Sequence, residues 1–122
     1  MTKRWLRHII VTAALIACLM AWRIWFPGQP FDSLQWHADA NVRSGVRQRM
    51  ADRLIARGSL IGLTRNEAVA LLGEPPETGY FTDWDLVYLL GDERGFISID
   101  SEWLVLRLGP NGRIAQAKLV TD

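Results

Sequence analysis

Residues 102–120 read EWLVLRLGPNGRIAQAKLV, and this stretch decides the architecture. Leu104, Leu106 and Leu108 alternate with Trp103, Val105 and Arg107, the period of two that sends successive side chains to opposite faces of a strand. Gly109-Pro110-Asn111-Gly112 comes next. A proline is preset for the second position of a type I turn, and the glycine after it suits the exit into an antiparallel neighbour. Residues 113–120 then form the returning strand. Upstream, residues 84–90 (WDLVYLL) carry the aromatic and branched types that strands favour, which adds a third strand. Residues 96–99 (FISI) read as a further short strand or as a bulged approach to the one at 102–108.

Two helices are expected ahead of the strands. Thr64-Arg65-Asn66-Glu67 is a capping box, in which the threonine hydroxyl serves the amide of residue 67 and the glutamate reaches back to the cap. The helix it opens is short. Ala68, Val69, Leu71 and Leu72 are its apolar content, Gly73 ends it, and Pro75-Pro76 forbid its resumption. An earlier helix is expected over 39–57, capped by Asp39 or Asn41 and closed by Gly58. Met50, Ala51, Leu54 and Ile55 share one of its faces, and Arg49, Arg53 and Arg57 form a stripe on another. That stripe is either a solvated face or a contact for anionic lipid head groups or an acidic partner. Helix, helix and antiparallel meander define an α+β domain of order ααβββ over residues 39–122.

Residues 1–26 have a different character. Lys3, Arg4 and Arg7 precede an apolar run over 9–26 in which Arg23 is the one charge. Trp5 and Trp25 stand twenty residues apart, about 30 Å along a helix and the thickness of a hydrocarbon core. Trp5 at one edge with Trp22 and Trp25 at the other suits the interfacial preference of tryptophan. An arginine at a bilayer centre costs about 2.5–3.5 kcal/mol, but near a helix end it reaches outward and costs much less. The segment reads as a signal anchor that keeps its basic end in the cytoplasm and places the rest outside the inner membrane, single-pass, with the carboxy-terminal domain periplasmic. Two other readings stand beside it. Leu15-Ile16-Ala17-Cys18 resembles the lipobox of bacterial lipoproteins, which would make Cys18 a lipidated first residue and the chain an outer-membrane lipoprotein; a simple cleaved signal peptide has the same basic-then-apolar plan. Pro27-Gly28-Gln29-Pro30 ends the apolar helix. Residues 27–38 are expected to run as a linker that packs Phe31, Leu34 or Trp36 somewhere.

The stretch 60–75, LIGLTRNEAVALLGEP, resembles the signature of BamE/SmpA-like domains, with its glycine, its capped short helix and its Leu-Gly-x-Pro exit at Leu72-Gly73-Glu74-Pro75. The resemblance continues through the aromatic-rich strand at 84–90 and the Asn111-Gly112 turn, and covers about residues 58–120. It implies two helices packed on one face of a three-stranded antiparallel sheet. Members of the family are lipoproteins of the outer-membrane β-barrel assembly machinery, and the fold recurs in proteinaceous β-lactamase inhibitors. Both bind protein, so the resemblance implies a protein-binding module.

Composition excludes several classes. The net charge of +1 hides a split: residues 1–26 hold four basic side chains and no acid, which leaves ten basic against thirteen acidic, a net of −3, on the remainder. A nucleic-acid binder would concentrate basic charge on its folded domain, so none is expected. One cysteine excludes a disulfide scaffold. His8 and His37 offer no paired metal ligands, and no phosphate loop or dinucleotide fingerprint occurs. Ser98, Asp100 and His37 can be drawn as a triad, but no nucleophile-elbow glycines flank the serine. The acids Asp83, Asp85, Asp92, Glu93, Asp100 and Glu102 lack the regular spacing of a calcium loop. The expectation is a non-enzymatic protein with no cofactor, no metal and no evident small-molecule substrate. Its partners are the membrane, through residues 1–26, and another envelope protein. Trp103, Val105 and Arg107, with Tyr88 or Trp84, are the expected binding face, because Trp, Tyr and Arg dominate binding hot spots. An inhibitor or regulator of an extracytoplasmic enzyme is the alternative function, and a weak hydrolase is a further rival.

Overall fold

The computed structural model describes residues 2–25, 27–38 and 44–122. Its elements run α1 (Thr2–Trp25), α2 (Ser33–Ala38), α3 (Val46–Ala56), α4 (Arg65–Leu72), β1 (Leu86–Asp92), β2 (Ser101–Leu108) and β3 (Ile114–Thr121). The sheet is antiparallel in the order β1-β2-β3, so the chain carries an α+β domain behind an amino-terminal apolar helix. The stretch Lys3–Ala21 is long and apolar enough to cross a membrane, and none of it is buried against the rest of the chain.

Local chemistry explains the element ends. The Thr64 side chain accepts from the Glu67 amide at 3.2 Å while Glu67 Oε1 accepts from the Thr64 amide at 3.4 Å, which completes the capping box. At the end of α3, Ser59 N–H donates to Leu54 O and Gly58 N–H to Ile55 O, with Gly58 at φ +63°. These are the two bonds of a Schellman exit, which favours glycine there. The hairpin joining β2 and β3 is a type I turn, closed by Gly112 N–H to Gly109 O at 3.0 Å. Gly112 takes φ +73° as the left-handed residue of a three-residue hairpin loop, and the register slips by one further along, between Leu108–Ile114 and Arg107–Gln116.

One face of the sheet carries the core. Leu86, Tyr88 and Leu90 of β1, Leu104 and Leu106 of β2 and Ile114 of β3 pack against Met50, Ala51 and Leu54 of α3 and Ala68 and Leu72 of α4. The link between the helices is stitched to the sheet: Gly62 N–H donates to Ile114 O at 2.9 Å and Ile114 N–H returns to Leu63 O at 2.8 Å.

The structure departs from the sequence expectations at four places. Residues 27–38, expected as a linker that packs Phe31, Leu34 or Trp36, contain α2, and Trp36 lies wholly inside the core, its indole N–H donating to Leu72 O at 2.9 Å. Arg47 holds it there, donating to Trp36 O and Leu89 O with its guanidinium 5.0 Å from the indole ring. Phe31 packs on Trp36, whereas Leu34 is exposed. The α3 helix begins at Val46 after Gly45, not near 39, and the expected caps Asp39 and Asn41 lie outside the described residues. β1 starts at Leu86, so Trp84 precedes the strand. Residues 96–99 form no strand; they lie within the β1–β2 connection, closed by Glu93 N–H to Asp100 O at 2.8 Å.

Candidate functional site

Trp103, Val105 and Arg107 do leave the sheet on the side away from the helices, but the first two are not free to meet a partner. Trp103 and Val105 form a second small core with Val87. The reason is the connection between α4 and β1. After Gly73 and the two prolines it passes to the far side of the sheet, where Phe81, Trp84, Leu89 and Val120 pack on this cluster. Tyr80 and Phe81 lie against the Trp103 ring at centroid distances of 5.4 and 6.0 Å. Trp103 is fixed from the other side as well, its indole N–H donating to Asp122 Oδ2 at 3.0 Å. Burial therefore removes Trp103 and Val105 from the expected binding face. Tyr88 leaves it too. Strand alternation turns Tyr88 to the helix side, where it is 3% exposed and its hydroxyl donates to Gly73 O at 2.8 Å. Burial, then the charge of Glu74, pushes its phenol up to about 12, with Arg65 pulling the other way.

Arg107 is the one member of that set still at the surface. Its guanidinium lies 4.0 Å above the Trp84 ring, donates to Gln116 Oε1 at 3.2 Å and pairs with Asp83 at 3.6 Å. An exposed cation–π contact is worth about 0.5–1 kcal/mol and an exposed ion pair less, so Arg107 is aligned without being locked. Tyr80, 55% exposed, packs beside Phe81 at a ring-centroid distance of 6.4 Å. Phe81 adopts φ +54°, the one non-glycine positive φ among the described residues, a conformation bulky residues take at a cost. Above Trp103 and Val105 the outer layer is thus Tyr80, Phe81 and Trp84, with Arg107 of β2 beside Trp84. Three aromatics within five residues after Pro75-Pro76 were the signal for it, and their cover over the sheet depends on the path of the loop.

The arginine stripe of α3 has work inside the chain. Arg53 donates to Pro27 O at 3.4 Å and Gly28 O at 3.0 Å, Arg49 Nε donates to Gln29 Oε1 at 2.8 Å, and Gln29 N–H donates to Arg49 O at 3.0 Å. Together they strap residues 27–29 along α3. Gly28 sits at φ +81° so close to α3 that an added Cβ would overlap Arg49 O and stand 3.0 Å from the Asp52 Cβ. Arg57 follows the last turn of α3 and is exposed. Cys18 is exposed on α1, which continues as helix to Trp25.

The chemical triad drawn on paper is not built. The Ser98 hydroxyl donates to Glu93 O within its own loop, and His37 lies against Gly73 at the end of α4. Among the described residues no group of three or more His, Cys, Asp or Glu side chains is placed to hold a metal ion. No protein-family model, curated protein or solved structure matches the chain.

Proposed function

We propose that the chain is a membrane-anchored envelope protein that acts by binding another protein and not by catalysis. In this reading α1 spans the inner membrane once, Lys3, Arg4 and Arg7 stay on the cytoplasmic side, and the α+β domain stands in the periplasm as a BamE-like docking module. The carrying observation is α1 itself. Nineteen apolar-rich residues, Lys3–Ala21, are wholly unburied, and Trp5, Ile9, Ile10, Leu15, Ile16 and Leu19 all face outward. Side chains of that size clustered on one helix ask for a nonpolar surrounding of about their own length.

The docking surface in this reading is the patch of Tyr80, Phe81, Trp84 and Arg107. Its composition is that of binding hot spots, and it rests on a rigid layer below. A role in envelope assembly follows from the resemblance of residues 58–120 to BamE-like domains.

Alkaline extraction of membranes expressing the native chain, followed by intact-mass measurement, tests the anchor. The full-length chain is expected to stay with the lipid and its domain to be protease-accessible from the periplasmic side. A soluble chain shortened at its amino terminus, or a mass beginning at an acylated Cys18, would replace the anchor with a cleaved signal or a lipoprotein. A photo-cross-linker in place of Tyr80 is expected to give one discrete protein adduct, absent when the probe replaces Asn111. Identical patterns from both positions would remove the patch from the proposal.

A further inference from the structure

The connection between β1 and β2 presents Phe96, Ile97 and Ile99 to solvent at 104, 66 and 83% of full exposure. Single exposed apolar side chains are ordinary; three within four residues at one tip are not. The tip stands on a braced base. Glu93 N–H donates to Asp100 O, and the Ser98 hydroxyl donates back to Glu93 O. Arg94 pairs bidentately with Asp52 at 2.6 and 3.1 Å and with Glu102 at 2.8 and 3.2 Å. The hydrogen bond to Asp52, more than any other contact, holds the guanidinium even more firmly protonated than usual.

Asp52 places this base. It lies on α3 between Arg49 and Arg53, the two residues that strap the chain as it leaves α1, and its Cβ is against Gly28. Pro27, already bonded to Arg53, follows the last residue of α1 by two positions, so the strap begins within about 7 Å of the helix end. Phe96 follows Arg94 by two positions and is held to the same short span of α3. The apolar tip and the exit of α1 therefore share one end of the domain, and the β2–β3 turn lies at the other, a strand length of about 27 Å away.

We propose that Phe96, Ile97 and Ile99 enter the interfacial layer of the leaflet from which α1 emerges, as a second membrane contact that fixes the tilt of the domain. The inference rests on α1 spanning the bilayer. Interfacial segments bury apolar side chains about 5–10 Å into the head-group boundary, a depth that a four-residue tip reaches while Glu93 and Asp100 at its base remain in water. The acids, and the net −3 of residues 27–122, suit an uncharged lipid surface. Tethering by α1 makes the contact intramolecular, so a weak preference suffices.

The test uses the full chain with Cys18→Ser and Ile97→Cys, labelled with an environment-sensitive fluorophore and reconstituted into phosphatidylcholine vesicles. The expected result is a blue shift with quenching by lipids spin-labelled near the head group, diminished by Phe96→Ser and absent for a label placed through Asn111→Cys. Vesicles that carry the protein through flotation and alkaline washing while the Ile97→Cys label stays water-like would overturn the loop insertion and leave the anchor standing. A water-like label in pure lipid that shifts only in native membranes would assign the tip to a protein partner instead, which also overturns it. Protein that fails to float removes both this inference and the anchor on which it rests.

Discussion

Replacing Trp36 with alanine asks whether residues 27–38 belong to the domain. The indole is fully buried, touches Phe31 and Tyr88 at ring-centroid distances of 5.8 and 6.5 Å, and satisfies Leu72 O. Emptying a site of that size costs about 3–5 kcal/mol. The stranded carbonyl adds about 1–3 kcal/mol where water does not reach it. The two overlap, since a cavity that admits water relieves the carbonyl, so about 4–6 kcal/mol is expected for Trp36→Ala. Trp36→Phe, which keeps most of the volume and loses the donor, is expected to cost about 1–3 kcal/mol. General scaling gives a domain of this size about 5–14 kcal/mol in total, so the alanine variant loses much of its stability. Urea unfolding of the full chain in detergent, followed by circular dichroism, should show the midpoint falling by about 2 M or more at ordinary slopes. A shift below about 0.5 M, or a fragment starting at residue 39 that unfolds where the intact chain does, would refute the placement of α2 in the core.

Gly28→Ala meets both the left-handed φ and the overlap with Arg49 O; a loss of about 1–3 kcal/mol, capped by release of the strap, is expected, with faster proteolysis between residues 26 and 31 as the readout. Thr64→Ala removes the cap and should cost about 1 kcal/mol, whereas Thr64→Ser should cost less in the same denaturation assay. Tyr88 makes stability fall with alkali: its folded phenol titrates near 12 against an ordinary 10, so its contribution is complete below pH 10 and is lost as the pH rises towards 12. Urea midpoints across that window should decline more steeply for the native chain than for Tyr88→Phe, and parallel profiles would contradict the burial of the hydroxyl.

The parts of the fold written in short-range chemistry were legible. The Thr64–Glu67 box, the exit at Gly58 and the 109–112 turn each depend on a few neighbouring residues, and each appears where its residues stand. Residues whose place depends on distant chain are not fixed by local pattern. Trp36 sits in a segment with no period of its own, and its burial needs Leu72, thirty-six residues on, together with Arg47. Alternation separates the leucine face of β2 from the Trp103 face, but it says only that two faces differ, not that a loop from residues 80–84 will close over the second. Tyr88 belongs to the helix face because it pairs with Leu104 across β1 and β2, a register that the alternation within either strand alone does not reveal. The FISI run has strand-like composition; the acids on either side of it and the Arg94–Asp52 pair make it a braced loop instead.

The strap bears on where the proposed partner must be. A flexible linker lets a tethered domain explore a volume that grows with linker length, but here Arg53 already holds the carbonyls of residues 27 and 28, directly after α1. A compact domain of about a hundred residues has a radius of gyration near 13 Å. If α1 stays in the bilayer, the whole domain, including Tyr80, Trp84 and Arg107, therefore lies within about 30–35 Å of the membrane surface. The proposed partner is then a membrane protein of the same bilayer or one that reaches down to that surface. Acylation at Cys18 would loosen this limit, because the eight residues between the lipid and Pro27 would no longer be embedded and could span up to about 28 Å, and the domain would travel with whichever membrane received the lipid. The identity of the first residue thus decides both which membrane the proposed partner meets and how closely the strap holds the patch to that membrane.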